Sequence, residues 1–257
     1  TKEHPIVLIH PDVTAYDWAE ITKAITSLKY ADAILTCKPS ASIPVTALNE
    51  EERYSRYFAA FNRFMEPLKA KKVKKLVLSR PTFCPINEEF SPLETFIKAC
   101  NAYPRMMIYL CHTPVSGTWL GSTPEILLSG HAMNWKTVAL AGTMPIENEV
   151  EPTEWSPKNQ EEQSIVAEYV RKIVKKHGRK MMEKGPYTAR AGQLVHLKTD
   201  FLFQLKETGY LGDLLKELHP TPAECGLPKE EGYQFIAEHE GYDRRYYSGF
   251  VGWIDPE

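Results

Sequence analysis

SPKNQEEQSIVAEYVRKIVKKHG, residues 156–178, is the stretch on which the reading of this chain turns. Ser156 followed by Pro157 is a helix start: the hydroxyl can accept from an orphan backbone N–H, and the fixed φ of proline suits the first turn. Ile165, Val166, Tyr169, Val170, Ile173 and Val174 then recur every three or four positions, so the spacing predicts an amphipathic helix to about residue 178. Glu162 breaks the pattern. It stands three residues before Ile165 and four before Val166, on the apolar face. A carboxylate facing inward must be paired, protonated or bound to a metal. A hard ion such as Mg²⁺, held by a few carboxylates and substrate oxygens, would suit it. The plainer alternative is a surface carboxylate near the helix start, which the dipole favours without asking for an inward position.

Residues 49–70 read as a second amphipathic helix. Asn49 is its cap, and Tyr54, Tyr57, Phe58, Phe61, Phe64 and Met65 form a stripe expected to be core. Strands are expected at 5–10, 74–80, 106–110, 136–143, 193–201 and 246–255, with further helices at 92–103, 211–219 and 228–240. Helices and strands mix without strict βαβ alternation, which predicts α+β or a mixed α/β sheet rather than a doubly wound layout. No glycine-rich phosphate-binding motif and no internal repeat occurs.

With 257 residues, 43% of them hydrophobic, the chain can bury a sizeable core as one large domain or two small ones. A net charge of −2 gives no bulk attraction to nucleic acid or to a membrane surface, so neither is an expected partner. No apolar run approaches the roughly 20 residues of a spanning helix. The opening TKEHPIVLIH lacks the features of a signal peptide and begins inside a strand-like run, so the chain is expected to be clipped there. Cys37, Cys84, Cys100, Cys111 and Cys225 are odd in number and contain no CxxC, which predicts free thiols in a reducing cytoplasm.

Three more polar residues sit in apolar company. In VKKLVLSR both strand faces carry branched apolar side chains, so a lysine starts near the interior. A lysine withdrawn from water can serve as a base, though the pattern alone favours both Lys74 and Lys75 at the strand's wet end. In TWLGSTPEILLS, residues 118–129, Glu125 stands at the mouth of an apolar run expected to be a buried strand, after a Gly-Ser-Thr-Pro corner. It is either an exposed turn carboxylate or a carboxyl against apolar walls that can donate a proton. His196, in QLVHLKTD, is by itself more often a satisfied core residue than a ligand. One base, one acid and one metal carboxylate suit addition or elimination of water on an anionic substrate.

The motifs KLVLSR, GSTPEILL, LAGTMP, WSPKNQEEQSIV, VHL, LHPTPAECGLP and YDRRYYSGFVGWID, in that order, resemble the chorismate-utilising enzymes, the family of anthranilate synthase component I. The resemblance covers residues 50–255 or so and implies that family's α/β fold, with antiparallel sheets packed face to face and helices outside. The lysine directly before LVLSR, and LAGT in place of PIKGT, are most like the isochorismate synthases, so no amidotransferase subunit is expected. Carried over motif by motif, Lys75 is the base that activates water for attack at C2 of chorismate. Glu125 is the acid that protonates the departing C4 hydroxyl, and Glu162 is a Mg²⁺ ligand. Gly142, Thr143, His196 and Ala223 fall on motifs that line the substrate pocket. The implied product, isochorismate, would feed menaquinone or a siderophore. Salicylate synthase, which also eliminates pyruvate, and a non-catalytic chorismate-binding fragment are the alternatives. Two positions depart from the pattern: Asn159 stands where many relatives are acidic, and Gln163 where a histidine often follows the metal glutamate. The family's further C-terminal segment, with a second Mg²⁺ glutamate and the arginine and lysine that grip carboxylates, is not in the sequence. A single chorismate-binding domain, incomplete at its C-terminus, is therefore expected.

Overall fold

The structure, a computed structural model, describes residues 50–253 apart from 83, 85, 88, 105, 114, 115, 148, 150 and 153. The strand expected at 5–10, the Asn49 cap and Cys37 lie outside the described residues. In chain order the elements are α1 (Glu50–Lys69), β1 (Lys75–Leu76), α2 (Pro92–Ala102), β2 (Met107–Thr113), β3 (Gly117–Thr123), β4 (Ser129–His131) and β5 (Asn134–Pro145). Then come α3 (Pro157–His177), β6 (Gly178–Ala191), β7 (Leu194–Leu205), a 3₁₀ turn (Thr208–Tyr210), α4 (Leu211–Leu218), β8 (Gly226–Leu227) and α5 (Lys229–His239). Every strand pairing among the described residues is antiparallel.

The chain divides into two compact units. One includes Phe83–Pro124; the other comprises Leu48–Thr82 and Glu125–Glu257. In the first, β2 and β3 form a hairpin from Met107↔Thr123 to Thr113↔Gly117. Leu93 and Phe96 of α2 bury against Ile97, Cys100, Ile108 and Leu110. Ser91 caps α2 by accepting from the Glu94 amide at 3.2 Å.

The second unit is built on a four-stranded sheet in the order β4-β5-β7-β6. Alternation decides which face of it is buried. Val195, Leu197, Thr199, Phe201, Phe203 and Leu205 of β7 are buried, and the residues between them are not. Onto that buried set pack Val166, Ala167, Val170, Ile173 and Val174 of α3, with Ala139, Ala141, Leu214 and Leu218. The apolar period and the Ser156 cap of α3 are found as the sequence predicts, the hydroxyl accepting from the Asn159 amide at 3.2 Å. Phe201 is fully buried in this core. Phe201→Ala should lower the unfolding free energy by about 3–5 kcal/mol in urea titration, the cost of a cavity plus lost burial.

Several sequence expectations are corrected. The GSTP segment is not a corner between two strands: β3 continues through Thr123, and residues 124–128 form no regular element. The strand expected at 74–80 is hydrogen-bonded as a ladder only over Lys75–Leu76. Residues 246–255 are not a strand: 245–248 form a turn and 249–253 are irregular, while 254 and 255 lie outside the described residues. Of the α1 stripe only Phe64 is buried. Tyr54, Phe58 and Phe61 are exposed and contact one another along the helix. The pattern missed β6, GRKMMEKGPYTARA, which lacks apolar alternation and carries Gly185-Pro186. It is an edge strand with two register shifts, where a proline and polar residues are tolerated.

Candidate active site

The site residues proposed from the sequence all fall in the second unit. Lys74 is exposed, as a lysine at a wet strand end should be, but Lys75 is not: its side chain is 12% exposed. The wet-end expectation is therefore corrected for Lys75. The physical cause is α3, whose Glu162 accepts from Lys75 Nζ at 2.8 Å. Glu162 itself is half-buried, at the edge of the helix's buried face rather than within it. Of the options open to an inward carboxylate it has taken the ion pair.

Glu125 reaches the interior because its neighbours are anchored. Leu127 and Leu128 pack on the main core, and Thr137 Oγ1 donates to the Leu127 carbonyl at 2.6 Å. An irregular segment pinned two residues further on carries Glu125 inward with it. Burial pushes its carboxyl up from 4.5 to about 7, the negative charge of Glu224 adds to the rise, and Lys75 opposes it. Glu224 is likewise raised by burial, against the pull of His219 and Arg244. A carboxyl whose pKa is raised toward neutrality thus lies within electrostatic reach of Lys75, an arrangement suited to proton transfer near neutral pH. The sequence reading missed Glu224. Its signal was a carboxylate between Ala223 and the buried Cys225 in a proline-rich turn.

The β5–β7 ladder skips one residue between Ala141 and Thr143. Gly142 fills that bulge at φ +74°, where a Cβ would also come within 3.2 Å of Asn159 Cβ. The bulge brings Thr143 opposite His196, and Thr143 Oγ1 lies 3.0 Å from His196 Nδ1. Burial holds His196 below its usual 6.5, against a bond with the Gly142 backbone, so the ring is neutral at pH 7. Asn159 is one helical turn from Glu162, so the first turns of α3 link the Gly142 bulge to the Lys75 pair. Ala223 packs on the main core. A separate cleft of about 610 Å³ lies along another face of α3, lined by Trp155, Gln163, Arg171, Glu183 and Thr199, and none of Lys75, Glu125 or Glu162 borders it.

The donor set meets the needs of Mg²⁺ only in part. Glu162 has the hard oxygen chemistry the ion prefers. Among the described residues, however, no group of three His, Cys, Asp or Glu side chains could hold a metal, and Glu162 Oε1 is engaged by Lys75. These residues supply a single carboxylate and do not by themselves make a cage. Among the described residues no helix is long and apolar enough to cross a membrane.

The family model for chorismate binding enzymes matches residues 7–257, and the chain belongs to that family. The relatives it matches include a salicylate biosynthesis isochorismate synthase of Pseudomonas aeruginosa, 28% identical over 71% of this chain and 40% of the relative. Isochorismate synthase 2, chloroplastic, of Arabidopsis thaliana is 28% identical over 89% of this chain and 43% of its own length. The chain thus spans less than half the length of these two relatives. A solved Bacillus anthracis structure, described as a 2,3-dihydroxybenzoate-specific isochorismate synthase, superposes with a TM-score of 0.65 at 26% identity, over 74% of this chain and 54% of that one. The menaquinone-specific isochorismate synthase of Escherichia coli shares the fold, with a TM-score of 0.56 at 19% identity over 75% of this chain and 46% of that one. The α/β fold of this family is therefore the fold of this chain.

Proposed function

We propose that this chain carries the acid–base half of an isochorismate synthase site, which converts chorismate to isochorismate in the cytoplasm for menaquinone or a siderophore. The observation that carries the reading is the pairing of the largely buried Lys75 side chain with Glu162, close enough to the half-buried Glu125 to act on its charge. Lys75, as the neutral amine, takes a proton from water as the oxygen bonds to C2. Both double bonds of the ring diene shift, C1=C2 to C1=C6 and C5=C6 to C4=C5, the C4–O bond breaks, and Glu125 gives its proton to the departing hydroxyl, which leaves as water. Atoms balance: one water enters and one leaves. Neutral His196, with Thr143, offers hydrogen bonds to substrate oxygens. Mg²⁺ is part of the proposal as a bound ion that would draw charge from the ring carboxylate, with Glu162 as one ligand.

The test is incubation of the chain with chorismate and Mg²⁺, with products separated by chromatography and pyruvate assayed in parallel. Isochorismate without pyruvate supports the proposal. Isochorismate with pyruvate would assign salicylate synthase instead. Chorismate binding without turnover would leave a binding scaffold. Glu162→Gln should weaken Mg²⁺ binding at least about tenfold in calorimetric titration, because it replaces an anionic ligand with a neutral one. An unchanged titration removes Glu162 from the ligand set.

A further inference from the structure

We propose that the buried Arg244–Glu240 pair is a positioning clamp that sets the strand carrying Lys75; this rests on the reading of Lys75 as the base. The need for a clamp comes from the fold. Lys75 stands on a ladder of only two residue pairs, Lys75↔Leu227 and Leu76↔Gly226, too short to fix its own place firmly. Outside it the segments are joined by two bonds more, Lys74 N–H to Leu227 O at 2.7 Å on one side and Val77 N–H to Cys225 O at 2.8 Å on the other. Arg244 takes hold at that point. Its Nη2 donates to the Val77 carbonyl at 2.7 Å and its Nη1 to the Glu224 carbonyl at 2.9 Å. One guanidinium therefore grips both strands just past the ladder.

The guanidinium is itself held rigidly. Nε donates to Glu240 Oε2 and Nη2 to Oε1, each at 2.5 Å. Glu240 Oε1 also accepts from the Ser79 amide at 2.7 Å and the Ser79 hydroxyl at 2.8 Å. Ser79 Oγ in turn lies 2.6 Å from Tyr242 OH. The Glu240 side chain is fully buried and Arg244 nearly so. A buried ion pair is a poor source of net stability, because desolvation offsets the attraction. A planar fork does supply fixed directions. Those directions run to Val77, two residues from Lys75 and on the same strand face, and to Glu224, whose carboxyl raises Glu125. The network thus spans the base strand and the segment beside the acid.

The experiment uses the full chain as wild type, Arg244→Lys and Ser79→Ala. Arg244→Lys keeps the charge but cannot reach both carbonyls; Ser79→Ala is the milder change and carries the test if Arg244→Lys does not fold. Lysines are labelled with a small amine-reactive reagent, and rates are read residue by residue by mass spectrometry, with exposed Lys172 as the internal reference. Chorismate turnover is measured alongside. Labelling of Lys75 relative to Lys172 should rise about tenfold in Arg244→Lys through local opening, and less in Ser79→Ala. Turnover should show a fall in kcat of about tenfold or more with KM little changed, the mark of a misplaced catalytic group. A folded variant whose Lys75 labels at the wild-type rate overturns the clamp. If labelling rises but wild type converts no chorismate, the clamp stands and the reading of Lys75 as a base falls. If wild type converts chorismate and labelling does not move, the reading stands and the clamp falls.

Discussion

Lys75→Ala should lower kcat for chorismate conversion by about 10²–10⁴-fold, the usual worth of a positioned general base. Its effect on stability should be far smaller, about 1 kcal/mol or less, because Glu162 is a third exposed and water can replace its lost partner. The alanine variant alone does not separate the base from the ion pair. Lys75→Arg does: a guanidinium can keep the contact with Glu162 but stays charged and cannot accept a proton. Both variants should therefore be inactive, with circular dichroism and urea midpoints near wild type. Full activity in Lys75→Arg would show that the lysine serves as a cation and not as a base.

Glu125→Gln should block loss of the C4 hydroxyl, with kcat down by about 10²–10⁴-fold. In wild type, the acid is needed in its protonated form. Its carboxyl titrates at about 7, so kcat should fall as pH rises above about 7, by about tenfold for each further pH step. The same titration has a consequence for stability. The folded state holds the proton more tightly than the unfolded chain, whose carboxyl titrates near 4.5. Below about 4.5 both states are protonated and the group has no effect. Between about 4.5 and 7 the folded state binds more protons, so stability falls as pH rises. Above about 7 the loss is complete, at most about 3 kcal/mol. Glu125→Gln removes that loss. Its urea midpoint should match wild type at pH 4 and exceed it at pH 8. Equal midpoints at both pH values would place Glu125 in water.

Periodicity makes much of the framework legible in the sequence. The apolar repeat and the Ser-Pro start gave α3 its bounds, because helix formation and capping are local events. The strand at β7 and the short helices α4 and α5 were legible for the same reason. The β6 edge strand was not. Its pairing comes from a neighbour, β7, and edge positions place little demand on composition. Tyr246, Tyr247, Phe250, Val251 and Trp253 misled in the opposite sense: their aromatic and β-branched character predicts a strand, and the segment is a turn followed by irregular backbone.

Ordered motifs made the family legible, and with it the residue types offered for chemistry: Lys75, Glu125, Glu162, Thr143 and His196. What those residues face is set by packing between segments far apart in the chain. Lys75 and Glu162 are 87 positions apart, and no local pattern says that one neutralises the other. Glu224 acts on Glu125 from 99 positions away, 224 minus 125. Arg244 grips a carbonyl 167 positions earlier in the chain. Local propensities report the backbone's own preferences over a few residues. Charge pairing, desolvation and the direction of a side chain depend on what packing brings alongside.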